Sequence, residues 1–210
     1  MKVIVLIADI ISSKKISDRN KIQKSLQAEL KKINRRSKSI ISPMTITLGD
    51  EFQCVYANAD EIFYHLWRIL LVCYPEKIRF SFGIGTVTTD INRKQAIGMD
   101  GPAFYAAREG LSVLKKKDYY FNIRGMENNS EVINLIRNTL YFISFNIKNW
   151  NKNRIEIMNM LAGRIPVKLI AEKLKISEQA VYKNITHGGL QPILDITDGI
   201  TRVLNDMVKN

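Results

Sequence analysis

The first strand-length run constrains this chain more than any other feature. Residues 2–11 read KVIVLIADII, apolar at odd and even positions alike and broken only by Asp9. A run of that length with no polar face predicts a strand covered on both sides, the central strand of a sheet. A basic residue ahead of an apolar run also opens a secretory signal, but Asp9 interrupts this one and no small-residue cleavage site follows. The expectation is therefore a buried strand that ends in a carboxylate, and the rest of the sequence must account for that acid.

The segments that follow alternate in period. Ser17 or Asp18 can cap a helix to about Asn34, with Ile22, Leu26, Leu30 and Ile33 on one face. SIISPMTITL and EFQCVY predict a β-hairpin around Gly49-Asp50, where a Gly-X pair suits a two-residue II′ turn. A helix from Asp60 to Cys73, a strand IRFSFGIGTV, a helix from about Gly101 to Lys115 and a strand YYFNI complete the segment. The order is β-α-β-β-α-β with an appended α-β, the ferredoxin-like split-βαβ pattern. In that arrangement the end of strand one lies beside the hairpin turn, so Asp9 and Asp50 converge at one sheet edge. Two carboxylates, completed by phosphate oxygens and water, make a shell suited to Mg²⁺. Taken alone, Gly49-Asp50 reads equally as a turn.

IADIISSKK, TLGDEFQCV, RFSFGIG and GPAFYAARE occur in the order and approximate spacing of class III nucleotide cyclases and GGDEF domains. The whole chain resembles the SatD family, small bacterial proteins with such an N-terminal part and a C-terminal helix-turn-helix. The resemblance implies that Asp9 and Asp50, with the backbone carbonyl of Ile10, hold two metal ions. In the cyclases such ions activate a 3′-hydroxyl and stabilise the leaving pyrophosphate. It also implies that Ser12, Ser13, Lys14, Lys15 and Gly49 meet a nucleotide, by backbone N–H groups and by lysine point charges; a solvated loop ahead of a helix is the alternative for residues 12–15. Arg108 falls at the cyclases' transition-state arginine, where it can face a phosphate or form a helix-surface salt bridge. Two departures oppose turnover. Phe104 stands where the cyclases have an asparagine and cannot donate a hydrogen bond. Leu48 replaces the first glycine of GGDEF, which disfavours a diguanylate cyclase. The glycines of FGIG can admit a nucleotide or relieve packing in a strand.

Beyond a connecting helix at 129–150, capped by Asn129 or Ser130, VKLIAEKLKISEQAVYKNIT predicts a helix-turn-helix. Ala171 allows the two helices to cross closely, and Ile170, Leu174, Ile176, Val181 and Ile185 supply their shared core. Lys175 occupies the turn position where glycine is usual. Ser177 caps the second helix, which would present Ser177, Glu178, Gln179, Tyr182, Lys183 and Thr186 to a major groove. A helical hairpin for protein contacts is the alternative. RIEIMNMLAG forms the preceding helix, and PILDITDGITRVLNDMV a final amphipathic one suited to dimerisation. The expected organisation is α+β: a nucleotide-cyclase-like domain over 1–126, a connecting helix over 127–150 and an all-α DNA-binding domain over 151–210.

Composition sets limits rather than a function. The net charge of +12 permits an anionic partner, DNA included, without identifying one. Cys54 and Cys73 form no CxxC, so neither a zinc site nor a disulfide framework is expected. His65 and His187 read as packing or surface residues. YHLWRILLVCY is too short and too charged to span a bilayer, and a cytoplasmic location is the expectation. Three readings remain open. The first is a DNA-binding regulator, as a homodimer, whose N-terminal domain binds a nucleoside triphosphate or nucleotide second messenger with Mg²⁺. The second is an active nucleotide cyclase or oligonucleotide synthase. The third is a DNA-binding protein on an inert scaffold.

Overall fold

A computed structural model describes residues 1–11, 18–125 and 131–209. These form a mixed α/β structure whose centre is β1 (Lys2–Ile10), buried along nearly its whole length. Its neighbours are β3 (Glu51–Tyr56) and β4 (Ile78–Thr86), both antiparallel to it. Outside them lie β2 (Ile40–Leu48), paired with β3, and β5 (Phe121–Gly125), parallel to β4, giving the order β2-β3-β1-β4-β5. The continuous apolar run of β1 thus occupies the middle of five strands, where both faces need apolar cover.

Even-numbered β1 side chains, Ile4, Leu6 and Ala8, enter a core shared with α1 (Arg19–Arg36) and α2 (Ile62–Cys73). Odd-numbered ones, Val3, Val5 and Ile7, meet Ala103, Phe104, Ala107 and Leu111 of α3 (Pro102–Lys116) on the opposite face. Asp9 is odd-numbered and therefore belongs to the α3 side. Phe104 stands at the position where the cyclase resemblance asks for asparagine, and its ring is part of this second core.

Asp18 caps α1 by accepting from the Lys21 amide at 3.2 Å. The helix predicted from Asp60 begins at Ile62 instead. Glu61 just ahead of it turns its carboxylate to Ser37, Lys38 and Ser39, tying the end of α1 to the start of β2. The strand expected at YYFNI begins two residues later, at Phe121. Pro43 sits in β2, an edge strand with register shifts on either side of it, where a missing N–H is tolerated. The other edge is closed by α4 (Glu131–Ile147), whose Ser144 Oγ accepts from the amides of Tyr120 and Phe121 at 3.1 and 3.3 Å. The predicted caps of α4, Asn129 and Ser130, lie outside the described residues.

Four helices follow: α5 (Lys152–Ala162), α6 (Val167–Leu174), α7 (Glu178–Gly188) and α8 (Leu190–Lys209). They do not hang from the sheet by a linker. One apolar cluster runs from Ile4 through Trp67, Phe121, Trp150 and Ile157 to Ile170, Val181 and Leu204. Trp150, between α4 and α5, stacks on Trp67 with centroids 6.1 Å apart. The expectation that α8 supplies a dimerisation face is corrected. Its apolar residues Leu190, Ile193, Ile200 and Leu204 are already buried within the chain. Asn205 further binds the Ala59 amide at 2.7 Å and Asp60 at 2.6 Å. Among the described residues no helix is long and apolar enough to cross a membrane.

Candidate functional site

At the end of β1, Asp9 stands opposite Glu51 on one side and Arg79 on the other, in register. Directly opposed residues of antiparallel strands share a face, so all three side chains point toward α3. That helix sends down two more charges. Lys115 Nζ lies 3.2 Å from Asp9 and Arg79 Nη1 3.5 Å from it, while Arg108 Nη1 holds Glu51 at 2.6 Å. Arg79 also donates from Nε to the Leu114 carbonyl at 3.1 Å, which anchors it beneath the last turns of α3. Two acids and three bases therefore interleave at one corner of the sheet.

The corner is not fully compensated. Burial raises the Asp9 carboxyl above its ordinary range although Lys115 and Arg79 pull the other way. Its Oδ1 is buried and makes no hydrogen bond among the described residues, although Arg79 Nη1 lies 3.5 Å from it as an ion pair. A buried carboxylate oxygen held only by a long ion pair is poorly compensated, and an arriving hard cation would have to displace Arg79 to take it.

The hairpin turn adjoins this corner. The Ile10 amide donates to the Asp50 carbonyl at 3.3 Å, so the backbones of Asp9-Ile10 and Asp50 are in contact. Gly49 has φ +60 and Asp50 does not join the positive-φ residues, as a II′ turn requires. Gln23 of α1 donates to the Gly49 carbonyl at 2.8 Å, and a Cβ on Gly49 would come within 3.1 Å of the Arg19 guanidinium. Ser12, Ser13, Lys14 and Lys15 lie outside the described residues. Among the described residues no group of three or more His, Cys, Asp or Glu side chains is disposed to hold a metal ion. The donor set fits a cation that arrives with its own phosphate oxygens, as Mg²⁺ commonly does with one or two carboxylates. It does not fit an all-protein cage.

Sequence reasoning named Asp9, Asp50 and Arg108 but missed Glu51, Arg79 and Lys115. The signal for the first two was period-2 alternation: once Asp9 opposes the start of β3, its cross-strand neighbours follow. Lys115 lies two turns beyond Arg108 on the same face of α3, outside the motif that drew attention to Arg108.

The second predicted constellation is built on α5, α6 and α7. Lys175 adopts a left-handed conformation, φ 54 and ψ 44, between α6 and α7, filling by a lysine the backbone role that glycine usually takes. Ser177 caps α7 by accepting from the Ala180 amide at 3.1 Å. Ile170, Ala171 and Val181 are buried where the helices meet. Ser177, Glu178, Gln179, Tyr182, Lys183 and Thr186 are all exposed. His187 is exposed too, whereas His65 is buried in α2.

The model of the SatD family matches residues 3–198. The chain belongs to the SatD family. No match was found among curated proteins. Solved structures that resemble this SatD chain include a bacterial light-regulated adenylyl cyclase, at 14% identity and a TM-score of 0.43, covering 59% of this chain and 75% of that one. A guanylyl cyclase is similar at 12% identity and a TM-score of 0.36, over 54% and 70% of the two chains.

In this SatD protein the acids of the sheet corner are held by side chains of unequal freedom. Arg79 is pinned through Leu114, while Lys115 and Arg108 are half exposed on flexible stems. Such cations can leave a carboxylate for an arriving anion without disturbing the strands beneath.

Proposed function

We propose that this SatD protein is a DNA-binding regulator, with α6 and α7 as a helix-turn-helix and α7 as its recognition helix. What carries the reading is a division of α7. Val181 is buried against the neighbouring helices, while Gln179, Tyr182, Lys183 and Thr186 are exposed at spacings of three and four. Those spacings put them on one face, as a groove-reading helix needs. The left-handed turn at Lys175 and the cap at Ser177 support it. The test begins with duplexes selected from a random pool. Tyr182→Ala should weaken binding to them by roughly 5- to 150-fold, the range of a lost base contact. Lys183→Ala should lower the slope of log affinity against log salt by about one phosphate contact. Unchanged affinity and slope in both variants would remove α7 from the interface.

The reading extends to the sheet corner, proposed as a site for a nucleoside triphosphate or nucleotide messenger carried with Mg²⁺. The strand order β2-β3-β1-β4 supports the ferredoxin-like arrangement that places Asp9 beside Asp50. Asp9, Asp50 and the Ile10 carbonyl would hold the ion, which when bound would neutralise phosphate charge and polarise a phosphoryl oxygen. Lys115 and Arg108 would turn from Asp9 and Glu51 toward the phosphates. Phe104, committed to the core, offers no donor to a transition state, so this reading favours binding over turnover. Titration calorimetry with nucleoside triphosphates should show affinity that needs Mg²⁺ and falls about 10- to 100-fold in Asp9→Asn, the loss expected for one charged ligand. Equal binding with and without the ion would end the metal reading. Product formation abolished by Asp50→Ala would instead favour an enzyme.

A further inference from the structure

We propose that α4 is the interface through which two copies of this chain pair, antiparallel about a two-fold axis passing between Asn138 and Thr139. The inference stands apart from the DNA and nucleotide readings. A helix with one apolar stripe buries it and turns polar residues outward; a helix apolar all round expects cover on every side. In α4 the inner stripe, Ile133, Ile136, Leu140, Ile143 and Ile147, is buried against the sheet layer. Its outer stripe is apolar as well: Val132 is 45% exposed, Leu135 68%, Phe142 64% and Phe145 69%. Glu131 and Arg137 are the only charged residues of the helix.

The spacing of the outer stripe suits a copy of itself. Val132 lies as far before the midpoint between Asn138 and Thr139 as Phe145 lies after it, and the same holds for Leu135 and Phe142. Two such helices run antiparallel therefore set Val132 against Phe145, Leu135 against Phe142 and Asn138 against Thr139, each pairing made twice. Aliphatic meets aromatic at every apolar level, and Glu131 falls opposite Asn146, so no like charges meet. This is the self-complementary patch that a two-fold interface requires. Charge argues for the same occupant. Copies that each carry +12 repel one another over most of their surface, and an uncharged seam is where they can approach. Nucleic acid has no reason to choose it.

The area suffices. Aromatic side chains bury about 150–250 Å² each when fully covered. At the exposures above, the four residues offer roughly 450 Å² per copy, or about 900 Å² for the pair, before Asn138, Thr139 and Asn146 are added; specific interfaces begin near 1,000 Å² in total. The apolar face of α8 is consumed within the chain, whereas the outer stripe of α4 remains uncovered.

Sedimentation velocity on the full chain tests the idea. Wild type should be dimeric at about 10–100 μM. Leu135→Glu and Phe142→Lys should each weaken association by about 30-fold or more, as loss of a central anchor does, with circular dichroism unchanged because both side chains point outward. Mixing the two variants should restore dimers, since the new Glu faces the new Lys at one level while Leu135 and Phe142 still meet at the other. A monomeric wild type across that range overturns the proposal, as does a dimer indifferent to both substitutions. Failure of the mixture to reassociate overturns the antiparallel register.

Discussion

Replacing Gly83 with alanine is expected to destabilise the protein by about 3 kcal/mol or more, at the upper end of what overpacking a core does. Gly83 sits in the middle of β4, opposite Val5 of the central strand. A Cβ there would lie 1.9 Å from the Ala103 carbonyl oxygen and 2.6 Å from the Ala107 amide nitrogen. Both are backbone atoms of α3, so no side chain can rotate out of the way and the helix must lift. Lifting α3 opens the second core, and it draws Lys115 and Arg108 away from Asp9 and Glu51. Urea unfolding should therefore show a much lower midpoint. Gly98→Ala is the control: its φ of +77 is strained for alanine, but nothing lies within 4 Å of the new methyl, so a loss of only about 1 kcal/mol is expected. Similar losses for both would mean that α3 does not rest on Gly83. The first glycine of FGIG thus has its explanation in helix–sheet packing, one of the two uses the sequence left open.

The second large effect is a pH dependence centred on His65. Its ring is buried, stacked on Tyr56, and its Nδ1 lies 3.1 Å from the Tyr56 hydroxyl. Burial pushes the Tyr56 phenol well above its ordinary range, so the hydroxyl keeps its proton. A neutral imidazole and a neutral phenol can share this hydrogen bond, whereas a buried imidazolium would lack a counter-charge in the pair. Burial, opposed by Glu61 and reinforced by Arg68, lowers the His65 pKa to about 4. An unfolded chain, with an ordinary histidine near 6.5, takes up the proton first. Stability from this group is complete above about pH 6.5 and is lost as the pH falls toward 4, amounting to about 2 kcal/mol between pH 7 and pH 5. Denaturation of wild type and His65→Gln at both values isolates it, because the amide can still accept from Tyr56 but does not titrate. An unchanged difference between the two pH values in the variant would assign the dependence elsewhere.

Elements whose cause is local were legible in the sequence. The apolar run of β1, the cap at Asp18, the positive-φ glycine of the hairpin and the cap at Ser177 each follow from a few neighbouring residues. The hydrophobic period also located every helix through α8 to within a few residues. What escaped depends on how elements pack. Nothing in the local pattern of PILDITDGITRVLNDMV says whether its apolar face meets another copy or, as happens, the rest of its own chain. Phe104 looked like a lost hydrogen-bond donor and is a core residue, because the face of α3 it occupies rests on Val3, Val5 and Ile7. At the candidate site the two motif acids could be named from sequence. Of the bases around Asp9 and Glu51, Arg108 could be named from its motif, but Arg79 is defined by strand register and Lys115 by how α3 lies across the sheet.

The continuous apolar cluster has a consequence for how such a chain can be rebuilt. A helical unit joined by a free linker can be exchanged between proteins at the linker, by recombination or by an engineer. Here Trp150 is stacked on Trp67 of α2, and Asn205 of α8 is bonded to Ala59 and Asp60 just ahead of α2. A graft of residues 151–209 onto another sheet would leave behind the surface around α2 that it packs and hydrogen-bonds against. A working chimera has to carry α2 with it, so the natural seam for swapping parts lies inside the sheet layer and not at the end of α4.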